Sequence, residues 1–317
     1  MSERKPERSI DSERPPLKVL PCKPVVLGQR KSMIGLVTRP VTEGSPQHNP
    51  GIILMNAGLV HRVGPHRLNV KIARMLAGRG FTALRFDLSG FGDSGARDDN
   101  LPFDQAAAMD IQEAMGFMTS TWGMERFVLI GLCSGADISL QVAARDERVV
   151  GVVPIDSYAY ATSLFLLSSY AQRLVDWESW KSLFSGRSDL WSALGGWLSS
   201  KFRRMSGRQS SEANFEQVEW EMPSKGEILE QIRTVLGRGH PLYFIYSGGP
   251  AYYCYLTHFR RDFKRFSSSA PLEIEHFPEA DHTFTMTYNQ KLLLDAIQSW
   301  IEDAFGTAEK STRETWG

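Results

Sequence analysis

The feature that most constrains this chain is an alternation. Short apolar runs of strand character repeatedly give way to stretches with helical periodicity. "GIILMNAG" (51–58), bounded by Pro50 and Gly58, predicts a buried strand. "GPHRLNVKIARMLAGRG" (64–80) follows, with Pro65 at its start, Gly80 past its end, and Leu68, Ile72, Met75 and Leu76 on one stripe. "FTALRFDLSGFGDSG" (81–95) reads as a strand running into a glycine-rich loop. Then come a helix at 103–122, a strand at 126–131, a helix at 134–146 and a strand at 148–156. Strands at 240–249 and 272–284 and a helix at 290–305 close the pattern. Apolar strands alternating with helices require cover on both faces of a mostly parallel sheet, an α/β fold.

Residues 157–240 break that rhythm. They are rich in Trp, Ser and Leu around the polar stretch "SSKFRRMSGRQSSEANFEQ". An excursion of this length between two strands is read as a helical cap over a site, with an oligomerisation surface as the other reading. The expected organisation is a tail at 1–16, a core formed by 17–156 and 241–305, a cap at 157–240 and a tail at 306–317. Lys plus Arg equals Asp plus Glu at 36 each, which argues against a nucleic-acid or anionic-membrane partner. Three cysteines are too few and scattered for a disulfide framework or zinc site. The charged start "MSERKPERSIDSERPP" lacks a signal peptide's apolar core, and no membrane-spanning run is present in the sequence. A cytoplasmic location is expected.

The chemistry centres on "FVLIGLCSG" (127–135), where Gly131 and Gly135 flank Cys133 between a strand and a helix. A nucleophile in such a turn stands clear of the sheet at a helix N-terminus, and crowding demands small neighbours. The N–H of the next residue, Ser134, is then available to an oxyanion. Cys133 is the expected nucleophile. Ser134, forming a Ser-x-x-Asp capping signature with Asp137, is the alternative, and a buried inert thiol is the third reading.

Three further segments accompany the elbow in order: "NAGLVHRVGPHR" (56–67), "DLSGFGDSG" (87–95) and "ADHTF" (280–284). Together they make residues 18–305 resemble an α/β-hydrolase. Within that superfamily, "NAGLVHRVGPHR", "RFDLSGFGDS" and "GLCSGA" resemble the bacterial exosortase A system-associated hydrolases, near the serine-aminopeptidase-like branch. The resemblance implies an oxyanion loop at 56–67, with the Leu59 N–H as second donor beside that of Ser134. It also implies a catalytic histidine at His282.

The acid departs from the family's usual pattern. After "PLYFIY" no carboxylate appears until Asp262, whereas Asp156 ends the preceding strand in "VVPIDSYAY". Asp156 is therefore the expected partner of His282, with turn capping as its other role. Asp281, adjacent to the histidine, is a poor rival because neighbouring side chains point apart. Gly58, His61, Arg62, Tyr252 and Tyr253 are candidate substrate contacts. His61, Arg62, His66 and Arg67 otherwise read as a solvated basic face.

The expected activity is hydrolysis of an ester or thioester through an acyl-Cys133 intermediate. The expected substrate is a small acyl molecule, free or carried on CoA or a carrier protein, with no metal or organic cofactor. Transfer of the acyl group to an amine or alcohol is the first alternative. A degenerate hydrolase-fold binding module is the second. The acyl group, the acceptor and the oligomeric state are left open.

Overall fold

The computed structural model describes residues 22–40, 49–58, 60–157, 223–248 and 271–306. In chain order these form β1 (Cys22–Leu27), β2 (Met33–Thr38), β3 (Gly51–Leu54), α1 (Leu68–Ala77), β4 (Ala83–Phe86), α2 (Phe103–Trp122) and β5 (Phe127–Leu132). They continue as α3 (Ser134–Arg145), β6 (Val149–Ile155), α4 (Lys225–Gly237), β7 (Leu242–Ser247), β8 (Leu272–Phe277) and α5 (Thr287–Phe305). The strands make one sheet in the order β1-β2-β4-β3-β5-β6-β7-β8. β2 runs antiparallel to both β1 and β4, and the remaining pairs are parallel.

Period-two alternation sorts the central strands between two cores. Ile53, Leu84, Leu129 and Val152 face one side, against Ile111 of α2, Ile138 of α3 and Ile232 of α4. Ile52, Leu54, Val128, Ile130 and Val153 face the other, against Leu68 and Ile72 of α1 and Leu293 and Ile297 of α5. Burying each such side chain contributes roughly 1.5–3 kcal/mol. This double cover explains why the strands read as continuous apolar runs rather than alternating ones.

The span read as a cap, 157–240, lies largely outside the described residues. Its last part is α4, started by a reciprocal capping box between Ser224 and Glu227. Ile228, Ile232, Val235 and Leu236 of α4 pack in the same core as α3, so the sheet's own cover resumes at 225 rather than 241. The tails at 1–16 and 307–317 also lie outside the described residues.

Register sets up the site. Leu132 lies opposite Ile155, and Ile155 opposite Ile245. The carboxyl ends of β5, β6 and β7 therefore open at one edge of the sheet, where ligands bind in open α/β folds.

Candidate active site

Cys133 follows β5 directly, with φ 57° and ψ −126°, and precedes α3. A non-glycine residue held there costs on the order of 1–3 kcal/mol, so its surroundings must enforce it. Its N–H donates to the Ile155 carbonyl at 2.9 Å, tying the elbow to the end of β6. The flanking glycines are needed for space. A Cβ on Gly131 would lie 2.3 Å from the Gly135 carbonyl, and one on Gly135 would lie 2.2 Å from the Asn56 carbonyl oxygen.

Ser134 opens α3, but its hydroxyl does not cap the helix. It accepts the Gly58 N–H at 2.9 Å, fastening the loop after β3 to the elbow. The Ser-x-x-Asp signature is thus a false lead: Cys133 holds the N-cap position, and the Ser134 side chain faces the neighbouring strand's loop. The Ala136 N–H already bonds the Cys133 carbonyl at 2.9 Å, so the Ser134 and Gly135 amides, which precede the first intrahelical bond, are the donors left beside the sulfur.

Asp156 follows β6 with φ 47° and a side chain with no exposed surface. Its Oδ2 accepts the His282 Nδ1–H at 2.8 Å. Ser247, the last residue of β7, donates its N–H to Oδ1 at 2.7 Å and its hydroxyl to Oδ2 at 2.6 Å. His282 also hydrogen bonds the Cys133 side chain, and since Nδ1 faces Asp156, Nε2 is the nitrogen left for sulfur. The bond to Asp156, and then that to Cys133, pushes the His282 pKa up to about 10 against partial desolvation. The structure therefore brings Cys133, His282 and Asp156 together.

The histidine loop is braced independently of this contact. Asp281 accepts the N–H groups of Thr283 and Thr285 at 3.0 and 2.9 Å, which commits its carboxylate to the loop. Phe284 is fully buried beneath, and Gln290 of α5 donates to its carbonyl at 2.7 Å.

Arg62 is turned into the protein rather than toward solvent. It is 9% exposed, and its guanidinium pairs with the fully buried carboxylate of Asp87 and, at 2.8 Å, with Asp93. The Arg62 N–H donates to Asp87 Oδ1 at 2.6 Å, and Asn56 bridges Asp87 and the Val60 carbonyl at 3.2 and 2.8 Å. "DLSGFGDSG" is thus the anchor of the loop after β3. Arg62 holds the Asp93 carboxyl below its ordinary range. His61 turns to the same place, with Nε2 3.4 Å from Asp93, and its Nδ1 accepts the Val63 N–H at 3.3 Å. His61, Asp87 and Asp93 bring potential ligand atoms within 4.8 Å of one another, but Arg62 already supplies positive charge to both carboxylates. His66 and Arg67 are exposed, as a solvated face requires. Gly58 gives its N–H to Ser134, while Leu59, Tyr252 and Tyr253 lie outside the described residues. Sequence reasoning missed Asn56, Asp87 and Ser247 as site supports; only the Asp-x-x-Gly-x-Gly-x-Ser spacing hinted at Asp87.

A family profile described as the α/β hydrolase fold matches residues 51–236, more than half of the chain, and the chain belongs to that family. The solved structure of a Pyrococcus furiosus esterase, Pf2001, superposes with a TM-score of 0.57 at 13% identity, covering 91% of this chain and 92% of that one. Proline iminopeptidase of Mycobacterium smegmatis gives 0.55 at 14% identity, covering 90% and 98%. Uncharacterized protein PA2218 of Pseudomonas aeruginosa gives 0.55 at 17% identity, covering 96% and 100%. In sequence, PA2218 is 33% identical over 88 residues, 27% of this chain and only 24% of that relative's length. Among the described residues, no helix is long and apolar enough to cross a membrane.

Proposed function

We propose that the chain is an acyl hydrolase that cleaves an ester or thioester through a covalent acyl group on Cys133. The observation that carries this reading is the 2.8 Å Asp156–His282 hydrogen bond on a ring whose second partner is the elbow sulfur. The thiol proton passes to His282, and sulfur attacks the carbonyl carbon. The C–S bond forms as the π pair moves to oxygen, which the Ser134 and Leu59 N–H groups receive. Collapse expels an alkoxide or thiolate, which takes the proton from His282. A water deprotonated by the same ring then attacks the thioester, releasing the acid and restoring the thiol. The raised His282 value supports a resting thiolate–imidazolium pair, in which the ring already holds the thiol's proton for the leaving group. Once Cys133 is acylated that charge partner is gone, and the ring can act as base toward water.

The substrate in this reading is a small acyl compound, free or borne by CoA or a carrier protein. The motif resemblance to exosortase A system-associated hydrolases supports a bacterial hydrolase of that branch. A working thiol suits a reducing, cytoplasmic setting. One observation favours a second reading, acyl transfer: the nucleophile is cysteine, and a thioester reacts with amines more readily than with water. Intact mass after mixing with acyl thioesters tests both readings, with wild type beside Cys133→Ala, Ser134→Ala and His282→Ala. An adduct on wild type and Ser134→Ala but not on Cys133→Ala is expected, and its discharge by water or an added amine separates hydrolase from transferase. If Cys133→Ala is acylated like wild type, or nothing is ever acylated, the reading fails and a binding module replaces it.

A further inference from the structure

β7 ends where most members of the family carry their acid shortly afterwards, and here it ends in Ser247, with no exposed surface. β7 lies between β6, which leads into Asp156, and β8, which leads into the His282 loop. Ser247 itself is opposite Phe277 of β8. The next residue locks that end: the Gly248 N–H donates to the Ala280 carbonyl at 2.7 Å, and a Cβ on Gly248 would lie 1.8 Å from the Pro278 carbonyl oxygen. The end of β7 is therefore a rigid platform touching both the acid-bearing and the histidine-bearing segments.

From this platform Ser247 reaches both oxygens of one carboxylate, the N–H to Oδ1 at 2.7 Å and the hydroxyl to Oδ2 at 2.6 Å. A buried serine that only needed to satisfy itself would bond one backbone carbonyl, as Ser139 does with Gly135 at 2.6 Å. A carboxylate hung from a single residue can swing about its last torsion, and a two-point clamp removes that freedom. We infer that Ser247 is a positioning residue: it fixes the plane of the Asp156 carboxylate so that one oxygen stays directed at His282 Nδ1. The strand that lacks the acid supplies its clamp. This rests on the acyl-Cys133 reading for its catalytic consequence, but not for the clamp itself.

The test compares Ser247→Ala, Ser247→Thr, Asp156→Asn and the Ser247→Ala/Asp156→Asn double variant. It reads acyl thioester turnover alongside the His282 ring titration, followed by NMR on histidine-labelled protein. Ser247→Ala is expected to lower kcat about 10–100-fold, as loss of comparable outer partners does, with KM changed less than about twofold. Its His282 titration moves down toward the ordinary histidine range, and Ser247→Thr recovers most of both. In the Asp156→Asn background the alanine change has no further effect. Wild-type kcat and an unmoved His282 titration in Ser247→Ala overturn the inference, as does a full effect in the Asp156→Asn background. If Ser247→Ala does not fold, Ser247→Cys replaces it, keeping the shape with a much weaker donor. If wild type is never acylated, the acyl-Cys133 reading fails while the titration still decides the clamp.

Discussion

Two aspartates stand one residue beyond a buried strand, Asp87 after β4 and Asp156 after β6, and neither side chain has any exposed surface. Their partners separate them. Asp87 takes the Arg62 guanidinium and the N–H groups of Arg62 and Asp93, the latter at 3.1 Å, so its charge is matched inside the protein. Asp156 takes neutral donors from Ser247, and its charge is left for a histidine ring whose side chain is 40% exposed. A carboxylate matched by a guanidinium anchors a loop. One held by neutral donors keeps its charge for the ring.

The largest effect expected from this contrast is on activity. Asp156→Asn should lower acyl turnover by about 10²–10⁴-fold, far more than any loss of folded protein explains, as removal of a histidine's orienting carboxylate does. Asp87→Ala should do the opposite, costing about 3–5 kcal/mol in urea unfolding because it leaves the Arg62 charge buried without its main partner. Specific activity per folded molecule should fall much less. If Asp87→Ala instead abolished turnover without loss of stability, the division between anchor and polariser would collapse.

A smaller effect sharpens the elbow's side of the comparison. Gly135→Ala would push a methyl against the Asn56 carbonyl oxygen, 2.2 Å from the ideal Cβ position, where backbone cannot yield cheaply. A loss of about 1–3 kcal/mol is expected, measured by denaturant midpoint, together with slower acylation of Cys133.

The smallest effect is a pH dependence. His282 rises from 6.5 to about 10 on folding, so its stabilising contribution is present in full below pH 6.5 and is lost as pH rises through about 10. The melting difference between wild type and His282→Gln should shrink across that window. A difference that grew with pH would mean the ring is not held by Asp156.

Much of this arrangement was legible in the chain itself. The strand–helix alternation located the sheet, "GLCSG" located the elbow, and the absence of a carboxylate after "PLYFIY" pointed back to Asp156. Other parts were not. Arg62 looked like a surface cation because nothing in "LVHRVG" announces a buried carboxylate 25 residues away. Ser134 looked like a cap because the local spacing fitted, yet its hydroxyl found Gly58, 76 residues distant. α4 looked like part of the cap because it closes the stretch of sequence that breaks the strand–helix rhythm, and only its packing on α3 reveals it as sheet cover.

The sequence by itself determined which segments pair and pack, because apolar periodicity and small residues at crowded turns are local requirements. It also determined that a cysteine stands at the elbow's tip. Which carboxylate met a guanidinium and which a histidine was decided by the tertiary structure. Those bonds join residues such as Asp156 and Ser247, 91 apart, or Asp156 and His282, 126 apart. A hydrogen bond forms within about 3 Å or not at all. Only strand order and register, by setting the ends of β5, β6 and β7 side by side, bring such groups to that distance.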